Sequence, residues 1–81
     1  MPRIVVLPPF DREFFSSRDR LEVAAGNLFA VVEALDREAP GFADVAGVRA
    51  QFAIDGAVEP DWSTAISPGS EVILLPRVGG G

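Results

Sequence analysis

The 81-residue sequence contains no cysteine, histidine, lysine or tyrosine, so several of the side chains that most often carry chemistry are missing. The lack of cysteine excludes disulfides, thiolate nucleophiles and zinc–thiolate sites. The lack of histidine and lysine excludes an imidazole acid–base catalyst, a Schiff-base amine and the lysine of a phosphate-binding loop. Carboxylate pairs remain, but the 12 acidic residues are spread along a chain too small for a deep cleft. We therefore expect neither a metal site nor an active site of its own.

Long apolar runs and an excess of positive charge are also missing. The longest apolar run, Leu28 to Val32, is far shorter than the ~20 residues that span a bilayer, and the amino end lacks a secretory signal. The net charge of −5 opposes binding to nucleic-acid phosphates, although it suits a basic partner surface. We expect a cytoplasmic, single-domain protein that binds neither a membrane nor nucleic acid.

The first half of the sequence predicts two strands and one helix. A β-branched run from Arg3 to Leu7 ends at two prolines, and an imperfect alternation from Arg18 to Ala25 predicts its hairpin partner. Asn27 is placed as the N-cap of a helix that stops at Pro40-Gly41. The predicted buried face of this helix consists of Leu28, Val31, Val32, Leu35 and Ala39, and its solvent face of Glu33, Asp36, Arg37 and Glu38.

The second half predicts three strands and two tight turns. The alternating Phe52 and Ile54 lead to Asp55-Gly56, a pair typical of hairpin turns, with a short return strand through Val58. The segment Ser67 to Ser70 is predicted to form a type II turn with Pro68 second and Gly69 third. It precedes the strand Glu71 to Leu75, which is almost wholly apolar and is therefore predicted to lie in the middle of the sheet, buried on both faces.

This order of elements predicts an α+β fold of the β-grasp type, with one main helix across a mixed sheet of four to five strands and the last strand beside the first. We expect the folded domain to cover residues 1–76 and a flexible glycine tail to cover residues 77–81.

The sequence ends in three glycines, Gly79, Gly80 and Gly81. Glycine has no Cβ, so this backbone can enter a slot too narrow for any side chain and can leave a terminal carboxylate unhindered. From Pro76 the extended tail reaches about 20 Å, far enough to enter the active site of another protein. A carboxylate is a poor electrophile and requires activation by ATP, for example as an acyl-adenylate, before a sulfur or nitrogen nucleophile attacks it. The chemistry would then belong to the partner.

Three segments resemble the MoaD/ThiS family of ubiquitin-like sulfur carriers, which includes the small subunit of molybdopterin synthase and the carriers for thiamin and cysteine synthesis. They are "FDREFF" (Phe10 to Phe15), "AIDG" (Ala53 to Gly56) and "TAISPGSEVILLPRVGGG" (Thr64 to Gly81). The third is the most specific, because it joins a turn, an apolar strand, a proline and a glycine pair at the extreme end. The resemblance extends over nearly the whole chain.

The resemblance implies that the carboxylate of Gly81 is adenylated and converted to a thiocarboxylate, with Gly80 as its required neighbour. It also implies that Arg77, Val78 and Gly79 line the channel of a partner. The partners would be an E1-like adenylating enzyme, which uses ATP, and a larger acceptor such as the molybdopterin synthase large subunit. No cofactor would be bound permanently, and molybdenum cofactor biosynthesis is the expected pathway.

Other interpretations remain open at this stage. The acceptor can belong to cysteine, thiamin or other sulfur metabolism, and the chain can be a protein modifier or a non-covalent interaction module. Arg77 either pairs with a partner carboxylate or adenylate phosphate, or is simply solvated. Trp62 either anchors a partner or, as we favour, forms a half-buried lid on the sheet. Phe10, Phe14 and Phe15 form either a weak docking patch or, as we favour, the end of the core.

Overall fold

The computed structural model describes residues 1–77, and the last four positions lie outside the described residues. Five strands and three helices are found in this part of the chain. In chain order they are β1 (Arg3–Val6), α1 (Phe10–Phe14), β2 (Arg20–Glu22), α2 (Leu28–Glu38), α3 (Phe42–Arg49), β3 (Ala50–Ile54), β4 (Ala57–Val58) and β5 (Glu71–Pro76).

The five strands form one mixed sheet with the order β2-β1-β5-β3-β4. The central pair, β1 and β5, is parallel, with Val5 opposite Ile73, while the other pairs are antiparallel. The last strand therefore lies beside the first and in the middle of the sheet, as the sequence predicts. The α+β fold of the β-grasp type is confirmed.

The core lies between one face of the sheet and helix α2. Alternate residues of β1 and β5, namely Ile4, Val6, Val72 and Leu74, are buried on this face, together with Phe52 of β3. The predicted apolar stripe of α2 is buried against them: Leu28, Val31, Val32, Leu35 and Ala39. Burial of each large apolar side chain stabilises the fold by about 1.5–3 kcal/mol, so this layer supplies most of the driving force for folding.

A side-chain oxygen accepts backbone N–H groups at the amino end of each longer helix: in α2 it belongs to the N-cap residue, whereas the N-cap of α3 is a glycine and the oxygen comes from α2. Asn27 Oδ1 accepts a hydrogen bond from the Ala30 N–H at 2.8 Å, which confirms the predicted cap of α2. Asp36, predicted only as part of the solvent face of α2, accepts hydrogen bonds from the N–H groups of Gly41 and Ala43 at 3.1 and 2.9 Å. One carboxylate of α2 thus satisfies two amides at the start of α3 and fixes the corner between the two helices.

Helices α1 and α3 were not predicted from the sequence. Helix α1 spans only Phe10–Phe14, in the segment that connects the two predicted strands of the first hairpin. The stop at Pro40-Gly41 is correct, but the chain turns through Gly41 at φ +102° and becomes helical again. The apolar residues of α3 form no clear stripe along its short length, so helical periodicity gave no signal there.

Three further details differ from the predictions. Strand β2 is shorter than the predicted Arg18 to Ala25. Gly69 lacks the positive φ that a type II turn requires, so that turn type is wrong, although the Ser70 N–H does donate to the Ser67 carbonyl at 3.0 Å. Strand β5 is fully buried on one face only, since Ile73 and Leu75 are half-buried on the other. No helix within residues 1–77 is long and apolar enough to cross a membrane.

Replacement of the α2 cap provides a test of the fold. We expect Asn27→Ala to lower the free energy of unfolding by about 1 kcal/mol, because the Ala30 amide loses its partner. Asn27→Asp, which keeps an acceptor oxygen at the same position, should stay close to the wild type. Urea denaturation of the three proteins measures the difference, and equal losses in both variants would contradict a capping role.

Candidate functional site

The candidate site is the point where the chain leaves the sheet after β5. The backbone N–H of Arg77 donates to the Arg49 carbonyl at 2.8 Å, which continues the pairing of β5 with β3 by one step. The side chain of Gln51 donates to the Pro76 carbonyl at 3.4 Å. The last described residue is therefore tied to the end of helix α3. The predicted tail residues beyond it, Val78, Gly79, Gly80 and Gly81, lie outside the described residues, so their roles stay predictions.

The side chain of Arg77 contacts its own chain. Its Nη2 atom donates to the carbonyl oxygens of Gly47 at 3.2 Å and Ala50 at 3.1 Å. These carbonyls lie at the carboxyl end of α3, where backbone acceptors have no partner within the helix. The sequence alternatives for Arg77, a partner contact or simple solvation, did not include this contact within the chain.

A second arginine at the same helix end pairs with helix α1. Arg49 donates to both carboxylate oxygens of Glu13, at 2.8 and 3.0 Å, and its guanidinium lies 5.3 Å from the ring centre of Phe10. The hydrogen bond from Arg49 lowers the pKa of the Glu13 carboxyl, and the reciprocal bond raises the pKa of Arg49. Both side chains are about 40% exposed, at 42% for Arg49 and 41% for Glu13, so solvent and salt weaken this pair.

The three phenylalanines proposed as a docking patch do not form one. Phe10 and Phe15 are completely buried and Phe14 is half-buried. All three rings pack around Phe42 of α3, with ring centres 5.5 to 6.1 Å from it. Helix α1 turns its aromatic side into the core beside α3, so the favoured core interpretation is correct for Phe10 and Phe15.

Trp62 is half-buried, as predicted for a lid on the sheet. Its ring lies edge-on to Phe52 in the core, at 5.6 Å, and to Phe29 on the surface, at 5.7 Å. Phe29 itself is 54% exposed. These contacts place Trp62 over one end of the core.

The sheet face opposite the helices carries an apolar row across four strands. Strand register aligns Val5 with Ile73, Ile73 with Ala53 and Ala53 with Val58. Residues directly opposite one another point to the same face of a sheet, so their side chains form one band. Toward the tail, half-buried Leu75 extends this band. The band was not predicted, although the sequence contains its signal: apolar residues such as Val5, Ile73 and Leu75 alternate with the core positions of β1 and β5.

The opposite end of this sheet face is charged. Arg3 lies opposite Glu22 of β2 and Glu71 of β5, so a row of charges borders the apolar band on the side away from Arg77. Within residues 1–77, no group of three or more His, Cys, Asp or Glu side chains is arranged to hold a metal ion.

The Glu13–Arg49 pair predicts a specific pH dependence. Because the folded-state pKa of Glu13 is lowered, its stabilising contribution is present above the ordinary carboxyl range and is lost as pH falls through the folded pKa. Glu13→Gln should therefore lower the Tm at neutral pH, and this difference should vanish in acid and shrink in high salt.

Thermal melts of the wild type and Glu13→Gln across pH measure this effect. Glu33→Gln, an exposed position on α2, is the control for a surface carboxylate. A difference between Glu13→Gln and the wild type that is constant from neutral to acidic pH would contradict the pairing.

Comparisons with known proteins give matches among solved structures. No protein-family model matches the sequence, and a search of curated proteins found no match. The crystal structure of CysO from Mycobacterium tuberculosis, described as an antigen, superimposes with a TM-score of 0.81 at 17% identity, covering 96% of this chain and 100% of that chain.

Two matched structures are complexes. A chain of the BexX/CysO complex from Amycolatopsis orientalis has a TM-score of 0.77 at 12% identity, covering 100% of both chains. A chain of the complex of subunits 1 and 2 of molybdopterin-converting factor from Helicobacter pylori has a TM-score of 0.66 at 22% identity, covering 99% of this chain and 97% of that chain. The described chain therefore has the ubiquitin-like β-grasp fold that its resemblance to the MoaD/ThiS sulfur carriers implies.

Proposed function

We propose that the protein is a ubiquitin-like sulfur carrier whose Gly81 carboxyl group is converted to a thiocarboxylate. The main support for this proposal is that a glycine run directly follows a β-grasp domain. The central strand β5 ends at Pro76, Arg77 is hydrogen-bonded to the domain, and the sequence continues as Val-Gly-Gly-Gly. The domain supplies a rigid base, and the glycines supply a backbone that fits a narrow channel.

The proposed chemistry takes place in a partner. A Gly81 carboxylate oxygen attacks the α-phosphorus of ATP and pyrophosphate leaves, which gives an acyl-adenylate. Sulfur at the sulfide level, as hydrosulfide (HS⁻), then attacks the acyl carbon and AMP leaves, so that one oxygen of the carboxylate has been replaced by sulfur and the resulting thiocarboxylic acid loses its proton to solvent. An E1-like adenylating enzyme supplies the ATP site and the acid–base groups. The carrier contributes a reactive terminus and a surface that the partner recognises, and it is not itself an enzyme.

The apolar band on the outer sheet face is the proposed docking surface for these partners. It combines half-buried Val5 and Ile73 with Val58, which is 56% exposed, and it continues through Leu75 toward Arg77, the root of the tail. Apolar side chains at the centre of an interface contribute most of its affinity. A partner that binds the band would lie next to Arg77, where the tail begins.

Two acceptors are candidates for the sulfur. The complex of molybdopterin-converting factor subunits supports the larger subunit of molybdopterin synthase, and that chain has the higher sequence identity, 22%. The CysO structures support a carrier for another sulfur pathway, since their backbones superimpose better, with TM-scores of 0.81 and 0.77. Backbone similarity reflects the shared core more than the partner surface, so we favour the molybdopterin synthase acceptor and keep the CysO-type pathway as the second candidate.

The terminus provides the direct test of the proposal. We expect intact-mass analysis after incubation with an E1-like activating enzyme, ATP and a sulfur donor to show the exchange of one oxygen for one sulfur. Fragmentation should place this change on Gly81, and a variant lacking Gly80 and Gly81 should show none.

An unchanged mass, with the enzyme active on a carrier it is known to load, would contradict the sulfur-carrier proposal. Isopeptide adducts on lysines of other proteins would instead favour a protein modifier. For a confirmed thiocarboxylate, sulfur transfer to a molybdopterin synthase large subunit or to a cysteine-synthase-type enzyme distinguishes the two acceptors.

Substitution within the apolar band tests docking separately. We expect Ile73→Gln to raise the KM of the activating enzyme for this protein about tenfold, because an interface anchor is worth at least 1–2 kcal/mol. Ala43→Gln, exposed on α3 on the helix side of the sheet, should leave the KM unchanged. Circular dichroism establishes that both variants are folded, and an equal KM for both would contradict docking on the band.

A further inference from the structure

We infer that Arg77 is a positioning residue: it clamps the root of the tail to the carboxyl end of helix α3 before any partner binds. The inference rests on the proposed function, because it assigns a role in delivering the Gly81 carboxylate. It differs from the role that the family resemblance implies for Arg77, in which its side chain lines the channel of the partner.

The clamp consists of hydrogen bonds from one residue to three carbonyl groups. The backbone N–H of Arg77 donates to Arg49, and its guanidinium donates to Gly47 and Ala50. The Ala46 carbonyl is already occupied by the N–H of Ala50. Arg77 therefore satisfies acceptors that the end of α3 would otherwise present to solvent.

Electrostatics favours a cation at this position, and the neighbouring arginine does not compete for it. The carboxyl end of a helix carries partial negative charge, which attracts a guanidinium. Arg49 is the nearer cation in sequence, but its guanidinium donates to both oxygens of Glu13 on α1. With Arg49 held by α1, the carbonyls of Gly47 and Ala50 are left to Arg77.

The same geometry argues against a free, partner-seeking arginine. A guanidinium that contacts an adenylate phosphate must first release Gly47 and Ala50, which lie 30 and 27 residues away in sequence and belong to the folded domain. A clamped guanidinium instead restricts the directions in which the following residues leave the domain. The conformational entropy of Arg77 is then lost when the domain folds, so this loss does not weaken the later insertion of the tail into a channel.

This role predicts an effect on KM in preference to kcat. Without the clamp, the activating enzyme must order the root itself, which weakens binding of the carrier. Once the Gly81 carboxylate is inserted, its reaction with ATP is unaltered. A direct contact between Arg77 and the reacting phosphate would have the opposite signature, a loss in kcat, because such a contact strengthens as charge develops.

The first experiment uses the free protein. Amide hydrogen exchange followed by NMR should show that the residue 77 amide exchanges about fivefold to tenfold faster in Arg77→Met than in the wild type, since the clamp holds this residue against Arg49. Arg77→Lys keeps a cationic donor and should recover most of the protection. Arg37→Met, an exposed arginine on α2, should leave the amide of residue 77 unchanged. Equal exchange in the wild type and Arg77→Met would overturn the clamp.

The second experiment measures activation by the E1-like enzyme. We expect Arg77→Met to raise the KM for the carrier about fivefold to tenfold with kcat within about twofold, and Arg77→Lys to lie within about threefold of the wild type in KM. Arg37→Met again serves as the control for loss of a surface charge. A loss in kcat at unchanged KM would overturn the positioning role in favour of contact with the reacting group.

The two experiments separate failure of the clamp from failure of the proposed function. A wild type that the activating enzyme does not adenylate would overturn the proposed function and with it any role of Arg77 in activation. The exchange measurement on the free protein decides on the clamp itself, whatever the outcome with the enzyme.

Discussion

The parallel pairing of β1 with β5 is the constraint on which the rest of the structure depends. Parallel neighbours cannot be joined by a tight turn, so the chain between them must cross over one face of the sheet, and it does so through α2 and α3 before β3 and β4 join the sheet on the other side of β5. Because β5 is central, its alternate residues supply both the core and the outer apolar band. Its carboxyl end meets the end of α3, where β3 begins, and this meeting point fixes the root of the tail.

Much of this architecture can be predicted from local sequence signals. Asn27 and Pro40-Gly41 mark the ends of α2, Asp55-Gly56 marks the β3–β4 turn with φ values of +49° and +91°, and the apolar run after Ser70 indicates a central strand. These signals are enough to predict the elements because each signal depends only on residues that are close together in the sequence. Helices α1 and α3 lack such signals, and their aromatic residues pack against one another across two segments that are distant in sequence.

The site was harder to predict than the fold for the same physical reason. The glycine run is a local feature that the sequence shows directly. The contacts of Arg77 with Gly47 and Ala50 span about a third of the chain, and the pairing of Arg49 with Glu13 joins residues 36 positions apart. No periodicity or motif encodes these distances. The Arg77 contacts follow only once the β3–β5 register places Pro76 opposite Ala50, and the Arg49–Glu13 pair only once α1 packs beside α3.

In the proposed carrier, the glycine tail provides steric access to a channel, and the root limits the backbone entropy that is lost on binding. Glycine offers the least steric hindrance to a channel but loses the most backbone entropy on being ordered, so a long unsupported glycine segment would bind weakly. Because hydrogen bonds already hold Arg77, a partner has to order only the residues that follow it. The lack of lysine and cysteine in these 81 residues means that no side-chain amine or thiol of the chain itself competes for an activated Gly81 carbonyl. An anchored Arg77, a glycine tail and a chain without side-chain amines or thiols together suit the proposed activation of the Gly81 carboxyl group by one partner and the delivery of its sulfur to another.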